Sequence, residues 1–177
     1  MEHKGFTLWF TGLPCSGKST VADLLAQKLK SKNYKVERLD GDIVRKSLSR
    51  DLGFSQEDRN KNIERITFVA KLLTRNGVIV ITSFISPYRK IRQHARQEIG
   101  NFIEVYVKCP VEVCKKRDVK GMYEKALNGQ IQDFTGVSHP YEEPENPEVT
   151  LDTENDTSEQ NIQKILQKLQ NLGYLNQ

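Results

Sequence analysis

The chain has 177 residues, 37% hydrophobic and 28% charged, with 27 Lys and Arg against 23 Asp and Glu. That length and mixture fit one domain spanning 1–177 around a single substantial core, and they exclude a disordered chain. The mild basic surplus suits small anionic ligands but has no block dense enough for nucleic acid. No apolar run approaches membrane-spanning length or resembles a signal peptide, so a cytoplasmic protein is expected.

Phe6 to Thr11 reads as a short buried strand, and Lys18 to Lys32 as a helix with Val21, Leu24, Leu25 and Leu29 on one face. Between them, Gly12-Leu13-Pro14-Cys15-Ser16-Gly17-Lys18-Ser19 fits the phosphate-cradling pattern G-x-x-x-x-G-K-(S/T) at every fixed position. The glycines let the backbone curl so that successive N–H groups meet the phosphates, and the helix that follows puts its positive end on the same anion. Lys18 adds a mobile cation, Ser19 an oxygen for Mg²⁺, and Thr20 completes the expected ATP-binding stretch. A second strand, Lys35 to Leu39, ends in Asp40-Gly41-Asp42 and so brings two carboxylates to the edge where open α/β sheets bind ligands. Ile43 to Leu48 is a short helix and Leu52-Gly53-Phe54 a turn. Ser55, with Asp58 three residues on, caps a helix whose core face is Ile63, Ile66, Ala70 and Leu73 and whose other face carries Arg59, Asn62 and Arg65.

Gly77 stops that helix, and Val78 to Ser83 is a buried strand. Ser86-Pro87 reads as the opening of another helix, with Ser at the cap and Pro at the first position. Phe102 to Lys108 is a fourth strand and Pro110 to Arg117 a helix. From Asp118 to Pro147, three glycines and three prolines interrupt regular structure, and the stretch is long enough to read as a lid over a binding site. Val149 to Leu151 is the last strand, and Thr157 with Gln160 caps a final helix with Ile162, Ile165, Leu166, Leu169 and Leu172 at helical spacing. The expected fold is α/β: a three-layer, P-loop kinase-type arrangement with a mainly parallel five-stranded sheet covered by helices on both faces. Cys109 and Cys114 lack the paired spacing and His partners of a zinc site, and with Cys15 they read as inert or buried thiols.

Two classes of P-loop protein compete. A regulatory GTPase needs an N-K-x-D segment after a later strand, whereas Asn60-Lys61 is followed by Asn62-Ile63 inside a helix. A small-molecule kinase needs a carboxylate near the acceptor hydroxyl, cations for substrate anions and a closing lid, all of which are present. A nucleotide-binding regulator without turnover is the alternative from another class.

The words Asp40-Gly41-Asp42-Ile43-Val44-Arg45, Leu52-Gly53-Phe54-Ser55, Phe84-Ile85-Ser86-Pro87-Tyr88-Arg89, Arg117-Asp118-Val119-Lys120-Gly121 and Phe134-Thr135-Gly136, together with Arg59, Asn62-Ile63 and Pro144-Glu145-Asn146-Pro147-Glu148, resemble the adenylylsulfate kinases, in order from about Trp9 to Thr153. The resemblance implies transfer of the γ-phosphoryl group of MgATP to the 3'-hydroxyl of adenosine 5'-phosphosulfate (APS), and a homodimer. It implies Asp42 as the group that orients or accepts the hydroxyl proton and holds Mg²⁺ with Ser19, supported by Asp40, although either Asp reads equally as a turn or cap residue. Arg45, Arg59 and Asn62 match positions that hold the phosphosulfate and ribose, or else form a solvated helix face. Phe54 and Phe134 match an aromatic clamp on the substrate adenine, with loop anchoring as the alternative. Ile85, Ser86 and Thr135 fall in substrate-binding words, and Lys120 matches a lid lysine. Arg117 stacks on the ATP adenine or forms a surface ion pair. Ser86 matches a position described as a phosphoserine intermediate, but direct transfer is expected, with Ser86 acting through its cap and backbone. Glu64 stands where many relatives have Arg, and Arg65 is the residue that could supply the missing contact. No N-terminal extension or attached sulfurylase domain is expected.

Overall fold

The computed structural model describes residues 4–175. Strands β1 (Phe6–Thr11), β2 (Val36–Asp40), β3 (Ile79–Ser83), β4 (Phe102–Lys108) and β5 (Val149–Asp152) form one sheet in the order β2-β3-β1-β4-β5, with every pairing parallel. Helices α1 (Lys18–Ser31) and α7 (Ser158–Asn171) cover one face. On the other lie α3 (Gln56–Arg75) and α4 (Arg89–Ile99), while α2 (Gly41–Lys46), α5 (Val111–Arg117) and α6 (Met122–Leu127) are short connectors. The expected architecture and sheet size are borne out.

The central strand β1 is buried at every residue, and its side chains alternate between two cores as a two-residue period requires. Phe6, Leu8 and Phe10 pack with Leu25 and Leu29 of α1 and Ile165 and Leu169 of α7. Trp9 points the other way, onto Ile66, Ala70, Val80, Ala95 and Phe102. Two of the three helix starts read from capping chemistry are in place, those at Ser55 and Thr157. Thr157 Oγ1 accepts from the Gln160 amide at 3.2 Å while Gln160 Oε1 accepts from the Thr157 amide at 2.8 Å. Ser55 Oγ accepts from the Asp58 amide at 3.1 Å. Here the shorter Asp58 side chain turns back to accept from the Gly53 amide at 3.1 Å, so cap and preceding turn are one unit.

Four expectations are corrected. Leu24 and Leu172 are exposed, because the buried face of α1 runs through Val21, Ala22, Leu25, Ala26 and Leu29 and leaves Leu24 outside it, and α7 ends at Asn171 with Leu172 as its C-cap. Asn62, read on the face of α3 away from its core residues with a solvated surface as the alternative to ligand binding, is 4% exposed. Ser86 and Pro87 do not open α4, which begins at Arg89 with Tyr88 as its N-cap. Ser86 instead sits at φ 44°, with its buried hydroxyl accepting from Trp9 Nε1 at 3.1 Å, so an indole on the neighbouring strand takes the oxygen that a helix cap would use.

Sequence order reverses beside β1, whose carboxyl end lies between those of β3 and β4. Such a switch point opens a crevice at the carboxyl edge of the sheet. The loops after β1, β2 and β3 and the stretch from Asp118 to Pro147 therefore supply the residues of interest.

Candidate active site

Gly12 leaves β1 at φ 154°, where a Cβ would lie 2.6 Å from the Val107 carbonyl oxygen, so only glycine fits the turn into the loop. Gly17 caps α1, whose first turn contains no acidic residue, leaving its positive end uncompensated by its own side chains. The carbonyls of the loop are held from outside: Tyr123 Oη donates to Pro14 O at 3.0 Å, Arg117 Nη1 to Cys15 O at 3.5 Å and Thr153 Oγ1 to Ser16 O at 2.7 Å. With these carbonyls engaged there, and the Ser16 amide turned inward onto Leu13 O at 3.2 Å, the remaining loop amides are left for an anion. Lys18 Nζ folds back to donate to Gly12 O at 2.9 Å, Leu13 O at 2.6 Å and Ser16 Oγ at 3.4 Å. Burial lowers its pKa to about 8, so the loop holds a desolvated cation next to open amides. Ser19 and Thr20 are exposed in the first turn of α1.

Asp40 is the hub one strand away. Its Oδ2 accepts from Ser19 Oγ at 2.8 Å, Ser83 Oγ at 2.7 Å and Arg38 Nη2 at 3.5 Å, and its Oδ1 caps α2 by accepting from the Asp42 amide at 3.0 Å. Burial opposes its charge, but hydrogen bonds from Ser83, Ser19 and the Asp42 amide hold its carboxyl below the usual carboxylate range. The capping alternative thus holds for Asp40, without removing it from the site. Asp42 is 65% exposed and accepts from Lys120 Nζ, which reaches across from the lid.

Around Phe54 two arginines converge. Arg45 donates to Gly53 O at 2.6 Å and lies 4.4 Å from the centroid of the Phe54 ring. Arg59 donates to Phe54 O at 2.8 Å, to Thr135 Oγ1 at 2.6 Å and to Asp133 O, tying α3 to the lid. These bonds run to carbonyl and hydroxyl oxygens, so neither positive charge is neutralised by them. Beside Arg59 on α3, Asn62 Oδ1 is buried without a hydrogen-bond partner among the described residues. An orphaned buried amide oxygen beside an arginine whose hydrogen bonds run to neutral oxygens marks a place for a polar ligand, one that donates to Asn62 and offers negative charge to the arginines.

The structure brings Gly12 to Thr20, Asp40, Asp42 and Lys120 together through direct contacts, and likewise Arg45, Phe54, Arg59 and Thr135. Ile85 O accepts from Thr11 Oγ1 at 2.7 Å, placing Ile85 and Ser86 at the end of β1 beside the loop. Phe54 is 61% exposed but Phe134 only 8%, its ring edge-on to Tyr123 at 5.0 Å in a third cluster with Cys109, Cys114 and Ala126. Cys109 and Cys114 are buried free thiols as expected, and burial pushes Cys114 up to about 12. Arg117 is committed to Thr153 O and Cys15 O, with no carboxylate in those contacts. Arg65 binds Asp51 with both guanidinium nitrogens, at 2.6 and 2.7 Å, so it does not stand in for an Arg at Glu64.

Sequence reasoning missed Arg38, Ser83, Tyr123 and Thr153. Arg38 carried a readable signal, since it lies two residues before Asp40 on the same side of β2. Ser83 is paired with Asp40 only by the register of β3 against β2. Tyr123 and Thr153 lie over a hundred residues from the loop they hold.

A family model described as adenylylsulphate kinase matches residues 4–152. The chain belongs to the adenylyl-sulfate kinase family. It is 58% identical over 175 residues to an adenylyl-sulfate kinase of Halothermothrix orenii, covering 99% of this chain and 95% of that one. Among solved structures, the Mycobacterium tuberculosis APS kinase in complex with AMPPNP and APS is 40% identical and superimposes with a TM-score of 0.91 over 95% of this chain and 99% of that one. The hexameric APS kinase from Thiobacillus denitrificans is 38% identical, with a TM-score of 0.77, over 99% of this chain and 30% of that chain. Like these kinases, the chain is a phosphotransferase that uses a nucleotide, and no helix among its described residues is long and apolar enough to cross a membrane.

Proposed function

We propose that this chain, acting as a single cytoplasmic domain over 1–177 and as a homodimer, transfers the γ-phosphoryl group of ATP to the 3'-hydroxyl of APS. The observation that carries the reading is the shared sheet edge, where a P-loop with a buried Lys18 abuts Asp40 and Asp42, with the Arg45, Arg59 and Asn62 cluster on the elements that follow. The acceptor oxygen attacks the γ-phosphorus, the bond to the ADP oxygen breaks, and Asp42 takes the hydroxyl proton. Lys18 and the loop amides meet the charge that develops on the phosphates. Arg45, Arg59 and Asn62 hold the phosphosulfate and ribose, Phe54 lies on the adenine of APS while Phe134, packed on Tyr123, anchors the lid beside it, and Arg117 lies against the adenine of ATP. Ile85, Ser86 and Thr135 line the acceptor, and Lys120 closes with the lid, about 118–147.

Ser19 and Asp42, with Asp40 bonded to Ser19, form a hydroxyl and carboxylate oxygen set of the kind that holds Mg²⁺ on phosphates. When bound, Mg²⁺ neutralises phosphate charge. A coupled assay of ADP release tests the reading: release with APS and none with AMP, gluconate or shikimate is expected. Tight ATP binding with no turnover of any acceptor would replace the enzyme by a nucleotide-binding regulator.

Direct transfer leaves Ser86 without a covalent role. Ser86→Ala is expected to keep much of its turnover while losing about 1–3 kcal/mol of stability, the cost of leaving the buried Trp9 N–H without its acceptor. Denaturant unfolding measures the second part. For the first, inversion at a chiral γ-phosphorus is expected, and retention with a competent phosphorylated Ser86 would overturn direct transfer.

The two phenylalanines should separate in the same way. Phe54→Ala, at an exposed ring, should weaken APS binding by roughly 1–3 kcal/mol if a base stacks there, with stability changed by no more than about 0.5 kcal/mol. Phe134→Ala, which empties a buried site against Tyr123, should cost roughly 3–5 kcal/mol of stability. Calorimetric titration and thermal unfolding check the pair; equal effects of Phe54→Ala on APS and ATP would remove that ring from the acceptor pocket.

A further inference from the structure

Arg92 lies one turn into α4, makes no contact with the groups assigned above to the phosphates, the metal or the proton, and is 2% exposed. Its Nε donates to Glu104 Oε1 at 2.8 Å, Nη1 to the carbonyl oxygen of Ser86 at 2.6 Å and Nη2 to that of Glu142 at 2.7 Å. One planar fork therefore fixes two backbone points fifty-six residues apart, one in the loop after β3 and one where the lid returns toward β5. A second chain of bonds joins the same two segments. Thr11 Oγ1 donates to Ile85 O at 2.7 Å and so accepts from Tyr141 Oη at 2.9 Å, while the Arg92 guanidinium lies 5.7 Å from the centroid of the Tyr141 ring. The lid root is anchored further by Arg96, which binds both oxygens of Glu148 at 2.7 and 2.8 Å, and by the Glu104 amide, which donates to Glu148 Oε2 at 2.6 Å.

A buried ion pair is a poor device for stability alone, because desolvation consumes most of its attraction. What this one supplies is geometry, since Ser86 sits at φ 44°, a conformation that a residue with a side chain keeps only when its surroundings hold it. We propose that Arg92 is a positioning residue for the acceptor: its fork sets the Ile85-Ser86 backbone and couples it to the root of the lid. APS recognition then depends on Arg92 without touching it, and ATP recognition, which rests on the loop after β1, does not. The inference relies on the proposed reading of Ile85 and Ser86 as acceptor-side residues.

The test compares Arg92→Lys with the unmodified chain. Lysine keeps the charge against Glu104 but cannot hold both carbonyls as a fork does. Expected are a rise of about tenfold or more in KM for APS and a change within about twofold for ATP, the scale on which small misplacements act. Trp9 is the sole tryptophan and bonds Ser86 Oγ, so its fluorescence reports the loop independently of turnover, and its emission should shift in the variant. Tyr141→Phe, which cuts the second chain of bonds, should move the same readouts in the same direction by less, and it decides the matter if circular dichroism shows Arg92→Lys to be unfolded. A folded Arg92→Lys with unaltered KM for APS, with equal rises for APS and ATP, or with unshifted Trp9 emission overturns the role of Arg92. Failure of the unmodified chain to release ADP with APS overturns the proposed function instead.

Discussion

Lys18→Ala should leave a folded protein whose turnover has fallen about 10²- to 10³-fold or more, the range seen when one preorganised charge donor is removed from a transition state. The fold should survive because the hydrogen bonds of Nζ run to oxygens of its own loop, Gly12 O, Leu13 O and Ser16 Oγ, and not to another element. Stability should even carry a signature of its removal. Burial takes the Lys18 pKa from its ordinary 10.5 down to about 8, so between those values the unfolded chain binds more protons than the folded one. Unfolding free energy therefore rises with pH across that window: the penalty of the buried charge is full below about pH 8 and fades toward 10.5. The unmodified chain without nucleotide should show this rise relative to Lys18→Ala in denaturant titrations. Near-normal turnover in the variant would sink the P-loop assignment.

Asp42→Asn should cost at least about 10² in turnover, the usual scale for a group that handles a proton in the transition state. The substitution keeps the shape and leaves the cap of α2 intact, because the bond to Asp40 Oδ1 comes from the Asp42 backbone amide. Its partner Lys120 is exposed on the lid, and an exposed pair contributes too little for its loss to unfold anything. Turnover measured at saturating APS and ATP separates chemistry from binding. Unchanged turnover with weaker binding alone would move the proton to Asp40, whose depressed pKa suits it less as a base.

Elements whose cause is local were legible in the sequence. The buried run of β1, the phosphate loop, the Thr157 and Gln160 capping box and the two carboxylates after β2 each follow from neighbours within a few residues. Misreadings came where a distant group won a local contest. Ser86 before Pro87 has the chemistry of a helix cap, yet Trp9 on another strand takes its hydroxyl. Asn62 falls at a polar position of α3, yet it is buried with an unpartnered oxygen, which no periodicity signals. Phe134 reads as a loop aromatic, and only the fold of the lid brings it onto Tyr123. In the candidate site, residue types could be read from words of sequence, whereas the partners that orient them, Ser83, Tyr123 and Thr153, arrive through register and chain closure.

The outside clamp on the phosphate loop has a consequence for how the protein is made. Gly12 to Ser19 leave the ribosome early, but Pro14, Cys15 and Ser16 acquire their carbonyl partners only when Tyr123, Arg117 and Thr153 exist and the last strand has paired with β4. Pairings between segments so far apart in a parallel sheet are slow to close and close late. A nascent chain halted before β5 would carry the whole nucleotide-binding motif, with Arg117 and Tyr123 made but Thr153 missing and the Ser16 carbonyl without its outside partner, so full competence for nucleotide would arrive together with completion of the sheet.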